Sequence, residues 1–135
     1  VLRIAGFDAA YHPFDWRRDL AWNGRELAER LLRERRKDII LVGHSMGGLV
    51  ARAALAHKGA ERIARVIQLG TPNRGAFVAV QALRGTYPLI RRLALLDLKH
   101  DALELAHKLL TTLPGLCGLL PPASACKDFN PFDAE

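Results

Sequence analysis

Cysteine is almost absent from this chain of 135 residues, with Cys117 and Cys126 the two present. Their spacing fits neither a zinc site nor a redox C-x-x-C pair, which leaves a local disulfide or two free thiols. Long apolar runs are missing too: none reaches the roughly 18 residues of a membrane-spanning helix. No basic n-region, apolar h-region and cleavage site stand at the start, so no signal peptide is visible. The compartment stays open, with the cytoplasm ahead of export. The chain starts at Val1 rather than Met, and we expect a natural start further upstream. Aromatic residues make up 7% of the chain, and none interleaves its densest basic run, Arg30, Arg33, Arg35, Arg36 and Lys37, where Glu29 and Glu34 alternate with the cations. That composition speaks against a nucleic-acid partner and for the solvated C-terminal end of a helix. With a net charge of +6, attraction to an anionic lipid surface is a further expectation. No repeat or low-complexity stretch is present. Half the residues are hydrophobic, enough for one domain with a modest core.

Against that background one stretch stands out. Gly43-His44-Ser45-Met46-Gly47 fits G-x-S-x-G. The run before it, Asp38 to Val42, reads as a buried strand, and the run after it, Gly48 to Ala56, reads as a helix. Strand, tight turn and helix are the context that makes this pattern a nucleophile elbow, with the serine hydroxyl projecting above the sheet edge. Gly43 and Gly47 are expected to leave room for a crowded backbone where a Cβ would clash. The N–H of Met46 would then lie near Ser45 Oγ as half of an oxyanion hole.

The remaining elements follow from periodicity and turn residues. Val1 to Ala5 reads as the end of a helix stopped by Gly6, and Tyr11 to Trp16 as an edge strand limited by Pro13. Asn23 with Glu26 resembles a capping box, opening a helix that runs to about Arg36 with Leu27, Ala28, Leu31 and Leu32 as its apolar stripe. The helix after the elbow is rich in Gly and Ala, which lets it sit close to a sheet, and Gly59 ends it. Arg65 to Leu69 reads as the next parallel strand. Alternating strands and helices define an α/β class. From Ala76 onward no strand is expected. Ala76 to Leu83, Leu89 to Leu96 and Ala102 to Leu110 read as helices, followed by a loop rich in Pro and Gly. Their leucines, Leu89, Leu93, Leu96, Leu103, Leu105, Leu109 and Leu110, are expected mostly to pack the helices on one another.

GHSMGG, followed about two dozen residues later by Leu69-Gly70-Thr71-Pro72-Asn73-Arg74-Gly75, resembles the α/β-hydrolase lipases. Phe14-Asp15-Trp16-Arg17 is similar to a segment of the lecithin:cholesterol acyltransferase-like branch and its bacterial lipase and esterase relatives. The resemblance covers residues 1 to 75. It implies a partial α/β-hydrolase fold of about three parallel strands over residues 1–75, and a helical cap with a loop-rich tail over 76–135. It also implies that the leucine face could line an acyl-binding cleft, and that the chain is the middle piece of a larger hydrolase. The activity implied is that of a serine esterase or lipase acting on ester or lipid substrates through an acyl-enzyme, with no cofactor. Acyl transfer to an alcohol is one alternative. A non-catalytic relative that keeps the elbow as a binding or interaction module is another.

A serine hydroxyl needs an adjacent His, and that His an acid to orient it. In such hydrolases the order is Ser, acid, His, each after a later strand. No later strand is read here. His107 and His100 are the bases on offer, with Asp97, Asp101 and Glu104 nearby, but all five sit in or beside one helical stretch, which departs from the family's geometry. His100, Glu104 and His107 would share one helix face, a pattern better read as solvated cap surface than as a metal site. His44 points away from the hydroxyl on an elbow, and Asp128 and Asp133 have no His after them. The second oxyanion donor and one interior strand would lie before Val1.

Overall fold

The computed structural model describes residues 2–97 and 99–125. Cys126, Asp128 and Asp133 lie outside the described residues, as does a Cys117–Cys126 disulfide. Cys117 is half-buried and free.

Helix α1 spans Leu20–Arg33 and strand β1 Ile39–His44. Helix α2 spans Met46–Ala54 and strand β2 Ile63–Leu69. The two strands pair in parallel, Ile40 with Arg65, Val42 with Ile67 and His44 with Leu69, and they are the whole sheet among the described residues. The architecture is a partial α/β fold of two strands, one fewer than expected. The segment 11–16 is irregular, because its backbone groups find partners other than a strand. Tyr11 C=O accepts from the Arg30 guanidinium at 2.9 Å, and Asp15 C=O accepts from Asn23 Nδ2 at 2.9 Å. Residues 2–6 likewise form a turn and no helix, closed by the Gly6 and Phe7 N–H groups on the carbonyls of Arg3 and Leu2.

Helix α1 begins four residues before the expected start. Asp19 is its N-cap, with Oδ1 accepting from Ala21 N at 2.7 Å and Trp22 N at 3.3 Å. Asn23 is instead fully buried inside the helix. Its Nδ2 reaches back to the carbonyls of Asp15, Arg18 and Asp19 and clamps the 14–19 segment onto α1. The helix ends at Arg33, so Arg35, Arg36 and Lys37 lie in the connection to β1. Leu27, Ala28 and Leu31 face the core, while Leu32 is exposed. They pack with Val50 and Ala54 of α2, with Phe14, Leu20, Ile39, Leu41 and Ile63 around them. Small residues on α2 allow this close approach, and Ala54 is fully buried. Gly59, with φ 108°, lies five residues beyond the end of α2 and caps the short 3-10 turn Ala60–Arg62.

The other face of the sheet is open. Ile40, Val42, Ile67 and Leu69 are exposed there.

Helices α3 (Phe77–Leu83), α4 (Pro88–Leu96) and α5 (Ala102–Leu109) follow, close to the expected limits. They form a second core of Ala82, Ile90, Ala106 and Leu110. Of the seven leucines expected to pack here, Leu110 is buried and Leu105 half-buried, whereas Leu89, Leu93, Leu96, Leu103 and Leu109 are exposed. The three helices are short, and one buried residue, Ile90, anchors α4. A short helix α6 (Pro114–Cys117) follows, with Leu116 packed against the second core. Gly115 N donates to Arg17 C=O at 3.0 Å, and Ala76 N donates to Leu119 C=O at 2.8 Å.

His12 tests the packing of residues 11–16 against α1. Its Nδ1 lies 3.3 Å from the Arg30 guanidinium, and Nε2 is buried without a partner. Burial and then the Arg30 charge hold its pKa below the usual 6.5. The neutral ring therefore stabilises the fold fully above about pH 6.5, and that contribution is lost as pH falls through the lowered folded value. Urea midpoints should drop between pH 7.5 and pH 5.5, and His12→Gln should flatten that part of the profile. An unchanged slope in the variant would assign the drop to another group.

Candidate active site

Ser45 is the junction of β1 and α2. Its φ of 51° and ψ of −125° lie outside the regions open to ordinary L-residues without cost. Such strain is held only where surrounding structure over-determines it, and two hydrogen bonds do so here. Ser45 N donates to Leu69 C=O at 2.9 Å, and Gly48 N donates to Ser45 C=O at 3.1 Å. The residue is exposed, at the C-terminal end of β1 and beside the end of β2. Ser45 makes no side-chain cap on α2, so its hydroxyl is not consumed by the helix. The first N–H groups of a helix have no partner within it, and Met46 opens this one.

The crowding expected around the elbow is real at Gly43. A Cβ there would meet Gly48 Cα and N at 2.6 Å and Gly47 C at 2.7 Å. At Gly47 the nearest atom would be Phe14 Cε1 at 3.7 Å, an ordinary contact. The second tight position is Gly48, whose Cβ would overlap the Thr71 side chain. The loop after β2 thus packs directly on the first turn of α2.

A polar chain fixes that loop. Gln68 Nε2 donates to Gly48 C=O at 2.8 Å, and Asn73 Nδ2 donates to Gln68 Oε1 at 2.9 Å. The Arg52 guanidinium donates to Asn73 Oδ1 at 2.6 Å. Sequence reading had not assigned Gln68, Asn73 and Arg52 to the site. The one signal available was the position of Gln68 and Asn73 in and around the LGTPNRG run. Thr71 Oγ1 is buried beside Gly48 without a partner. Arg74 is exposed in the same loop.

The Phe14–Arg17 segment is held by its own ion pair. Asp15 Oδ1 and Oδ2 accept from Arg17 Nε and Nη2 at 2.8 and 2.9 Å, and Oδ1 also accepts from Arg17 N. The Arg17 side-chain hydrogen bond, more than any other cause, lowers the Asp15 pKa to about 2. Arg18 stacks on the Trp22 ring at 4.1 Å.

The proposed bases sit with the second core. His100 precedes α5 and its N-cap Asp101, so it does not share a helix face with Glu104 and His107. Its Nδ1 lies 2.8 Å from Asp97 Oδ2, and that hydrogen bond holds the Asp97 pKa below the usual value, with the Lys99 N–H assisting. Glu104 completes a capping box with Asp101. His107 is exposed on α5. Among the described residues no imidazole or carboxylate is hydrogen-bonded to Ser45. No group of three or more metal-ligating side chains is found among them either.

A parallel strand, a strained serine and a closely packed helix define an α/β domain of the hydrolase type. A family model, the PGAP1-like alpha/beta domain, matches residues 25–109. That is more than half of the chain, and the protein belongs to this family. The match takes in GHSMGG and LGTPNRG but not Phe14–Arg17. Neither the curated proteins nor the solved structures give a match.

Proposed function

We propose that the protein is a serine hydrolase of carboxylic esters, of lipase or esterase type, with Ser45 as nucleophile. The observation that carries this reading is the strained, exposed serine at the β1–α2 junction. Ser45 Oγ would attack the ester carbonyl as its proton passes to a base. The C–O bond to the alcohol then breaks, and the alcohol leaves with that proton. The Met46 N–H would stabilise the oxyanion, and water would release the acid. An acceptor alcohol in place of water gives acyl transfer, the reaction of the acyltransferase branch. Helices α3 to α5 would serve as a cap. His100, whose Nδ1 lies 2.8 Å from Asp97 Oδ2, and His107 would be the candidate bases. The chemistry requires no metal or cofactor.

A second reading has its own support. With no imidazole bonded to Ser45 among the described residues, the elbow would also suit a binding module that has lost, or borrows, its base. A fluorophosphonate probe separates the two, because it labels only activated serines. An adduct on the peptide carrying Ser45 is expected. A folded chain that stays unlabelled would reject catalysis by this chain and favour the binding module.

A further inference from the structure

We propose that the outer face of α4 is a docking surface for anionic lipid. Leu89, Leu93 and Leu96 recur at i, i+4 and i+7, which places them on one stripe of the helix. All three are exposed, Leu96 at 80%. Ile90 is buried about a quarter turn around the helix from this stripe, in the core with Ala82, Ala106 and Leu110. The helix is therefore held along one side, and its exposed arc runs from Arg91 through Leu95 and Arg92 to the leucine stripe. Leu95, also 80% exposed, lies between Arg91 and Arg92 around the helix, and Arg92 borders the stripe.

Charge selects the occupant. The sequence of α4, PLIRRLALL, contains two arginines and no acid. Neither guanidinium takes part in an ion pair or hydrogen bond within the described residues, and both are exposed. A second copy of the chain would bring these arginines against another molecule of net charge +6. An apolar protein partner would leave them without counter-charges. Anionic headgroups beside acyl chains satisfy both halves of the surface at once, as for helices that lie in a membrane interface. The basic connection Arg35–Lys37 lies at the other end of β1 from Ser45, and its charges are partly taken up within the fold. Arg36 pairs with Asp8.

Flotation of the full chain with ether-linked vesicles tests this, since such lipids hold no ester and the result is independent of Ser45. Binding is expected to vesicles of phosphatidylcholine with about one third phosphatidylglycerol, and to weaken with salt. Arg91→Gln with Arg92→Gln should lower affinity roughly 30-fold, at about fivefold for each cation near the surface. Lysine at both positions should restore it. Leu89→Gln with Leu93→Gln and Leu96→Gln should remove the salt-resistant part of binding, with circular dichroism unchanged because these side chains are exposed. The proposal is overturned if both sets of variants float like the wild type, which would assign binding to Arg35–Lys37. It is also overturned if the chain ignores anionic vesicles, or if the stripe instead drives a dimer seen by sedimentation.

Discussion

Alanine at position 45 is expected to abolish ester turnover and leave the fold intact. Where a serine acts with its full set of partners, its loss costs on the order of six powers of ten in kcat, and what remains comes from the oxyanion hole and binding. Ser45 contributes no side-chain cap to α2, so Ser45→Ala should change stability by less than about 0.5 kcal/mol. Ser45→Gly sharpens the test. The backbone at this position has φ 51°, a region that glycine enters freely. The glycine variant should lose turnover as completely and yet gain stability, by up to about 1 kcal/mol, as strain is released. Opposite signs for activity and stability at one residue are what a nucleophile elbow requires. Turnover that survives in the alanine variant would sink the assignment of Ser45. A glycine variant that melts earlier than wild type would remove the strain argument.

Gly43→Ala is expected to be the most destabilising single-methyl addition at the elbow, by about 3 kcal/mol or more. The atoms its Cβ would meet are the backbone of Gly47 and Gly48, and backbone cannot rotate aside as a side chain can. The first turn of α2 would have to move off β1, taking Ser45 with it. Gly48→Ala should behave differently, because its obstacle is the Thr71 side chain. Pairing it with Thr71→Ala should recover most of the loss, and no trimming of a neighbour should rescue Gly43→Ala. Denaturant midpoints for the four variants would decide this. Equal rescue in both cases, or a Gly43→Ala chain as stable as wild type, would mean the elbow packs less tightly than the geometry indicates.

What could be read from the sequence was whatever depends on local chemistry. The apolar run at residues 38–42, the Gly- and Ala-rich stretch after it and the helical periodicity from Ala76 onward placed β1, α2, α3, α4 and α5 within a few residues. Failures came where a residue serves a distant partner. Asn23 looked like an N-cap because Glu26 follows it three residues later. It is buried because its amide satisfies carbonyls of residues 15, 18 and 19, leaving the capping to Asp19. Tyr11 to Trp16 carried strand-like residues, but strand formation needs a neighbour, and guanidinium and amide groups took its carbonyls instead. The tight glycine after the serine was expected at 47 and lies at 48, since the obstacle is Thr71, more than twenty residues away. The chain of hydrogen bonds from Gly48 through Gln68 and Asn73 to Arg52 has the same character. Each member is an ordinary surface residue until β2 lies beside β1.

The hydrogen bond from Ser45 N to Leu69 C=O gives the elbow an unusual dependence. This amide belongs to the turn, yet its partner is the last residue of the neighbouring strand. It can exchange its proton with water only when the two strands part, so its protection should follow that of the central β1 amides rather than that of the first turn of α2. The Ser45 turn and the sheet therefore unfold as one unit. Looseness at the end of β2 would be felt at the serine before any side chain near it had changed.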